Sequence, residues 1–183
     1  MSLTLSVAPR SSRNRITTLF RPVLAIPLIV IEQAWSALAQ ICAVVQIVWV
    51  LVTGRRNRDL YDLQVQYLGY AARMWTYLGA LYDEYPPLGA RAGETGVEVA
   101  APYVERSNRW AALFRIVLAI PAIVVTVVLV VAGVVGSLAA WATVVATGRL
   151  PEGLRVGLVR IHRYVARTIA YLLLVTDTYP RWS

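Results

Sequence analysis

Hydrophobic positions along this chain gather into two long blocks, Val23 to Val52 and Ile116 to Ala146. Each exceeds the roughly 20 residues that a helix needs to cross about 30 Å of hydrocarbon. At about 1.5 Å per residue, a helix of some 30 residues measures roughly 45 Å, enough for hydrocarbon and headgroups together. Each block ends on Thr-Gly-Arg, at Thr53-Gly54-Arg55 and Thr147-Gly148-Arg149. Glycine there accepts the positive φ that stops a helix, so a tight turn is predicted. A second helix of different character follows. Over Leu60 to Tyr82 the positions Asp62, Gln66, Gly69, Arg73 and Thr76 recur at alternating spacings of four and three, which is one face of an α-helix. Leu3-Val7 and Val97-Ala101 alternate instead with period two, as short strands do, and are expected to pair.

The pattern repeats. Leu19-Phe20-Arg21 and Val23-Leu24-Ala25-Ile26-Pro27 return as Leu113-Phe114-Arg115 and Val117-Leu118-Ala119-Ile120-Pro121, 94 positions later. The shift holds without a gap through Thr-Gly-Arg, Tyr70 and Arg73 (Tyr164 and Arg167), and Asp83-Glu84-Tyr85-Pro86 (Asp177-Thr178-Tyr179-Pro180). One register kept for so long is duplication, to be sought before any other motif. The predicted fold is an all-α membrane protein of four helices. They form two tandem pseudo-symmetric hairpins, residues 1–87 and 97–183, joined by a Pro/Gly-rich linker at 88–96. All four helices are expected to cross, with both termini and the linker on one side and the Thr-Gly-Arg turns on the other. The alternative lays the second helix of each hairpin in the interface and leaves two spans.

Composition agrees with lipid as solvent. Of 183 residues 58% are hydrophobic and 15% charged, against roughly 45–50% apolar in soluble domains. A stretch resembling a signal peptide, Arg10 to Arg21 and then an apolar run to Ala37-Leu38-Ala39, is not expected to be cleaved, because it continues to Val52 and recurs mid-chain. The net charge of +8 comes from 18 arginines and no lysine. These flank or punctuate apolar segments and form no soluble basic face, so membrane phosphates are the expected counter-charge and nucleic acid is not an expected partner. Arginine numbers near the helix ends place both termini in the cytoplasm by the positive-inside rule.

Candidate chemistry is sparse. Glu32 and Arg73 are the deepest ionisable residues of the first repeat, and intramembrane charge is a functional candidate by default. Arg73 is expected close to the level of Gln40, so that a hydrogen bond to Gln40 is expected at least as readily as a direct pair with Glu32, which would need both side chains to stretch. In the second repeat the polar stripe becomes Val156, Arg160, Arg163, Arg167 and Ala170, and these arginines are expected to face headgroups or a partner. Gly133, Gly136 and Ala140 form a small-residue seam suited to close helix contact, within the chain or with a partner. His162, the single histidine, and Cys42, the single cysteine, lie in no metal-ligand spacing. No phosphate loop or nucleophile elbow occurs, so no catalytic residue, cofactor or metal is assigned. Trp49, Trp110 and Trp182 fall near predicted ends as interfacial anchors, while Trp35, Trp75 and Trp141 are expected to pack between helices or against a partner.

Phe-Arg-x-Val-Leu-Ala-Ile-Pro, Thr-Gly-Arg and Asp-x-Tyr-Pro together resemble a family of small, often duplicated actinobacterial membrane proteins known chiefly as a domain of unknown function. The chain also resembles, more distantly, the lipid uptake coordinator, an accessory subunit of mycobacterial Mce lipid importers. What the resemblance implies is location and repeat fold, a multi-pass protein of the cell (inner) membrane; other membrane subunits and phospholipids are the expected partners. The expected function is a non-catalytic accessory subunit of a transport complex; the alternative is a small transporter or channel at the repeat interface.

Overall fold

The described residues of the computed structural model are 3–7, 15–87 and 96–182. In chain order the elements are β1 (Thr4–Val7), α1 (Arg15–Thr53), α2 (Arg58–Leu78), β2 (Val97–Ala100), α3 (Arg109–Leu113), α4 (Arg115–Thr147) and α5 (Glu152–Leu172). The fold is thus mostly helical, with two repeats and two short strands. Among the described residues there are five helices, not the expected four. Phe114 closes α3 at φ −91° and ψ 7° and α4 begins beside it, whereas the equivalent Phe20 lies inside an unbroken α1. The expected linker at 88–96 lies, apart from Gly96, outside the described residues.

Each long helix buries a single stripe. On α1 it runs Thr18, Arg21, Ala25, Leu28, Glu32, Ala39, Gln46 and Val50; on α4 it runs Arg115, Ala119, Ala122, Gly133, Ala140 and Val144, at equivalent positions of the repeat. α2 packs along the first stripe and α5 along the second, each antiparallel to its own long helix. The turns are as predicted: Gly54 and Gly148 both have φ 73°, and their amides bond back to Val50 O and Val144 O at 2.8 and 2.7 Å. The start of α2 is fastened differently from that of α5. Gln46 accepts from the Asn57 amide at 3.2 Å and donates to its carbonyl at 3.3 Å. The equivalents of Gln46 and Asn57 are Ala140 and Pro151. Proline has no amide hydrogen to satisfy, so a methyl group can stand where the amide was.

The two repeats are antiparallel, which the sequence reading did not foresee. Trp141, near the end of α4, donates its indole N–H to the carbonyl of Thr18, near the start of α1, at 2.9 Å. Each Thr-Gly-Arg turn sits beside the start of the other repeat: Arg109 donates to Val52 O at 3.1 Å, and a Cβ on Gly148 would lie 2.9 Å from Arg15 Nε. The expectation that both turns share one end and both repeat starts the other is therefore corrected.

Strand pairing fixes the symmetry. β1 and β2 pair antiparallel as Thr4 with Ala100, Leu5 with Val99, Ser6 with Glu98 and Val7 with Val97. Exchanging repeats by the 94-residue shift turns the first pair into the third and leaves Leu5 with Val99 unchanged. A pseudo-two-fold axis therefore passes through that pair. Thr4, Ser6, Glu98 and Ala100 are on the open face, while Leu5 and Val97 are buried against Ala72 and Tyr82. A rotation that exchanges antiparallel strands and keeps one face inward runs along the sheet normal. Along this axis lie, in order, the ribbon, the α2–α5 pair, and the α1–α4 pair.

Among the described residues two helices, α1 and α4, are long and apolar enough to cross a membrane, with mean hydropathies of 2.0 and 3.0 over their most apolar windows. Only 28% and 17% of those windows is buried within the molecule, far less than a soluble core helix requires.

Candidate functional site

Two features stand out, a paired internal clasp and an apolar platform. The clasp is built from the repeated Phe-Arg and Asp-x-Tyr-Pro. In the first repeat Arg21 leaves α1, donates to Tyr77 O at 2.7 Å and to the Asp83 carboxylate, and lies 4.7 Å from the centre of the Tyr77 ring. Tyr85 meets the same ring edge-on, with centroids 6.0 Å apart. In the second repeat Arg115 bonds Tyr171 O, Thr176 O and Asp177 and lies 4.5 Å from the Tyr171 ring, with Tyr179 edge-on at 5.8 Å. Arg21 and Arg115 are each 1% exposed. A guanidinium buried so deeply is tolerable only when paired and hydrogen-bonded. The signature thus binds the N-terminal part of each long helix to the end of its partner, which makes it structural in the first place.

The second clasp also joins the repeats. Arg56 Nη2 lies 2.7 Å from Asp177 Oδ1, and Ser107 Oγ donates to the same carboxylate at 3.1 and 3.2 Å. Arg56 further donates to Val104 O at 2.9 Å, so segment 104–107 is held against the α1–α2 turn. Tyr61 and Tyr103 continue the attachment through Ala101 O and Arg56 O at 2.6 and 2.9 Å.

Sequence-predicted residues are scattered over this frame. Glu32 is buried and accepts from the Tyr67 hydroxyl at 3.0 Å. Burial pushes the Tyr67 phenol up to about 12, so it remains a donor across the physiological range. Arg73 is buried on α2 but does not bond Gln40, which donates instead to Ser36 at 3.1 Å on the outer side of α1. The expected Gln40–Arg73 bond is corrected because the buried stripe of α1 passes through Ala39, one residue away. Of the three stripe arginines on α5, Arg160, Arg163 and Arg167, the first is exposed. Arg163 and Arg167 turn to the ribbon and reach Leu5 O and Leu3 O at 3.4 Å, and Arg167 also donates to Arg181 O at 2.9 Å. They hold β1 and the C-terminal segment to α5. The glycine seam is occupied within the chain: a Cβ on Gly133 or Gly136 would come within 3.2 Å of Ile161 or 3.0 Å of Leu158. Trp35 stacks on Tyr70 and Trp141 bridges the repeats as expected, but Trp75 is exposed. Among the described residues no group of three His, Cys, Asp or Glu gathers as a metal site.

The platform is the remaining face of α1 and α4. Among the described side chains, fourteen large apolar ones on α1 and thirteen on α4 stand exposed, from Leu19 to Val52 and from Ile116 to Leu138. Soluble monomers rarely expose apolar patches beyond a few hundred Å². Its size could have been read from the unbroken hydrophobic blocks; that the two halves lie side by side could not.

Fold and clasps together define an internally duplicated helical-hairpin protein with an exposed apolar helix pair. It belongs to the family described as Domain of unknown function (DUF4389), which matches residues 15–89 and again 109–183. Both ends of the match are displaced by the same 94 residues that relate the repeats. No curated protein and no solved structure matches the chain.

Proposed function

We propose that this protein is a non-catalytic membrane subunit that acts by association within a larger transport assembly of the cell membrane. The observation that carries the reading is the α1–α4 platform. Its exposed valines, leucines and isoleucines need a non-aqueous neighbour, each worth about 1.5–3 kcal/mol on full burial. Arg21, Arg56 and Arg115 are tied to carboxylates in the clasps, Glu32 is bonded by Tyr67, and Arg163 and Arg167 of the α5 stripe hold the ribbon. A lipid importer of the Mce type is the assembly to which the sequence resemblance points, and phospholipids are the second partner.

Affinity purification of the full-length protein in mild detergent tests the proposal. Larger membrane subunits should co-purify in fixed ratio, and deletion of the gene should lower the abundance or flux of that assembly. Flux through the isolated protein in liposomes, abolished by Arg73→Ala or Glu32→Ala, would replace this reading with that of an autonomous transporter.

A further inference from the structure

We infer that the platform lies flat in one leaflet of the bilayer, with α1 and α4 parallel to the membrane plane and the ribbon facing water. The inference rests on a membrane location for the α1–α4 face, and not on the identity of any assembly.

The occupant of the face is the acyl layer of a phospholipid leaflet, and three observations select this over a spanning arrangement. The first is the ribbon. The pseudo-two-fold that exchanges the ends of the platform passes through Leu5 and Val99, so β1 and β2 sit over its centre. Were α1 and α4 to cross the membrane, the ribbon would lie at the bilayer midplane. Thr4, Ser6 and Glu98 are exposed on its outer face, and among the described residues each strand pairs with one other strand only, so each keeps an edge that no further strand covers. Lipid-exposed sheet edges do not occur in hydrocarbon, because their amides and carbonyls would find no partner.

The second observation is length. Leu19 and Val52 are both exposed, and the 33 residues that separate them span about 50 Å along a helix at 1.5 Å each. A hydrocarbon layer of about 30 Å would accommodate that apolar run only at a tilt of more than about 50°, beyond the usual range of roughly 0–40°. Laid flat, the helices need only their diameter of about 10–12 Å, which fits within one leaflet of roughly 15 Å.

The third is charge. Arg15 and Arg149 are exposed at one end of the platform, and Arg55, Arg106 and Arg109 at the other. A spanning protein keeps its arginines mainly on one side. An in-plane platform instead presents both ends to the same layer of anionic headgroups, where arginines are stabilised.

Site-specific labelling of the full-length protein decides the matter. In a Cys42→Ser background, single cysteines are placed in the ribbon (Ser6→Cys, Glu98→Cys) and in the two turns (Arg55→Cys, Arg149→Cys). They are then probed with an impermeant maleimide in inverted and right-side-out membrane vesicles. All four should label from one and the same side, and a fluorophore on Val128→Cys should be quenched by brominated acyl chains. Labelling of Arg55→Cys and Arg149→Cys from opposite sides, or of the turns opposite the ribbon, would show spanning helices and overturn the inference. Recovery of the protein in the soluble fraction would overturn it too, as would cross-linking of Val128→Cys to another protein without quenching by lipid. Failure to co-purify partners would reject the accessory role and leave this labelling pattern intact.

Discussion

Among the described residues, two non-glycine residues have positive φ, Ala80 at 55° and Leu174 at 61°, and they occupy equivalent positions just beyond α2 and α5. Each allows a wrapped helix end, with Leu81 N bonding Thr76 O and Val175 N bonding Ala170 O, both at 3.0 Å. An L-residue there costs on the order of 1–2 kcal/mol. The side chain explains why glycine is not used. Leu174 packs against Val50 of the first repeat and Ala112 of α3, and Ala80 packs against Ala140, Val144 and Leu158 of the second repeat. Replacement by glycine should therefore separate the two sites. Leu174→Gly relieves strain but empties a buried leucine site, whose loss costs about 2–5 kcal/mol, so net destabilisation is expected. Ala80→Gly loses one methyl and should be close to neutral, and thermal melts in detergent would show the contrast. His162 offers a pH test. Its ring donates from Nδ1 to Leu158 O at 2.7 Å and faces Gly79. Burial holds its pKa below the ordinary value, although the Leu158 and Trp75 carbonyls favour the protonated ring. Above about pH 6.5 the ring is neutral in folded and unfolded chains alike and contributes no pH dependence. Below that, the unfolded chain takes up the proton first, so stability falls as pH drops towards the lower folded value. The loss in melting temperature between pH 7 and pH 5 should be smaller in His162→Phe than in the native protein.

At the scale of elements, the hairpins were legible because their signals are local. Thr-Gly-Arg marks both turns, the four-and-three spacing marks the helix face of α2, and alternation marks both strands to within one residue at their ends. Gly54→Ala and Gly148→Ala should each destabilise by on the order of 1–2 kcal/mol, since the new methyl group meets both an unfavourable φ and an arginine of the other repeat. That corresponds to about 2–4 °C in melting temperature per kcal/mol for a chain of this size. What local signals could not supply was direction. The stripe arginines Arg163 and Arg167 look like headgroup ligands by residue type and spacing, yet their acceptors are carbonyls of a strand some 160 residues away in sequence. Likewise Arg73 and Gln40 were placed at one height by counting residues, but height does not fix the rotational setting of a helix, and Gln40 turns outward.

On the scale of the whole molecule, the decisive contacts cross between repeats: Trp141 with Thr18, Arg56 with Asp177, Leu5 with Val99. None has a sequence signature, which is why duplication was legible and the antiparallel arrangement was not. The same contacts predict fragment complementation. Co-expressed segments 1–92 and 93–183 should co-purify as a heterodimer, because strand register and both end contacts are made between them. Arg56→Leu, which removes the ion pair to Asp177, should weaken their recovery in detergent, while the same change in the covalently joined chain should lower its stability without separating the halves.

Fusion of the repeats has a further consequence at the clasp ends. The ion pair of Arg56 with Asp177 occurs at one end only, since the equivalent of Arg56 is Leu150, although that of Asp177 is Asp83. Gln46 with Asn57 against Ala140 with Pro151 marks the same divergence. A dimer of identical halves must offer every ligand two equal docking positions, whereas a single chain is free to make them unequal. A membrane subunit that recognises either end should therefore bind with a stoichiometry of one per chain, and native mass spectrometry of the purified assembly should record that ratio, with two per chain marking recognition of the shared pseudo-symmetric features instead.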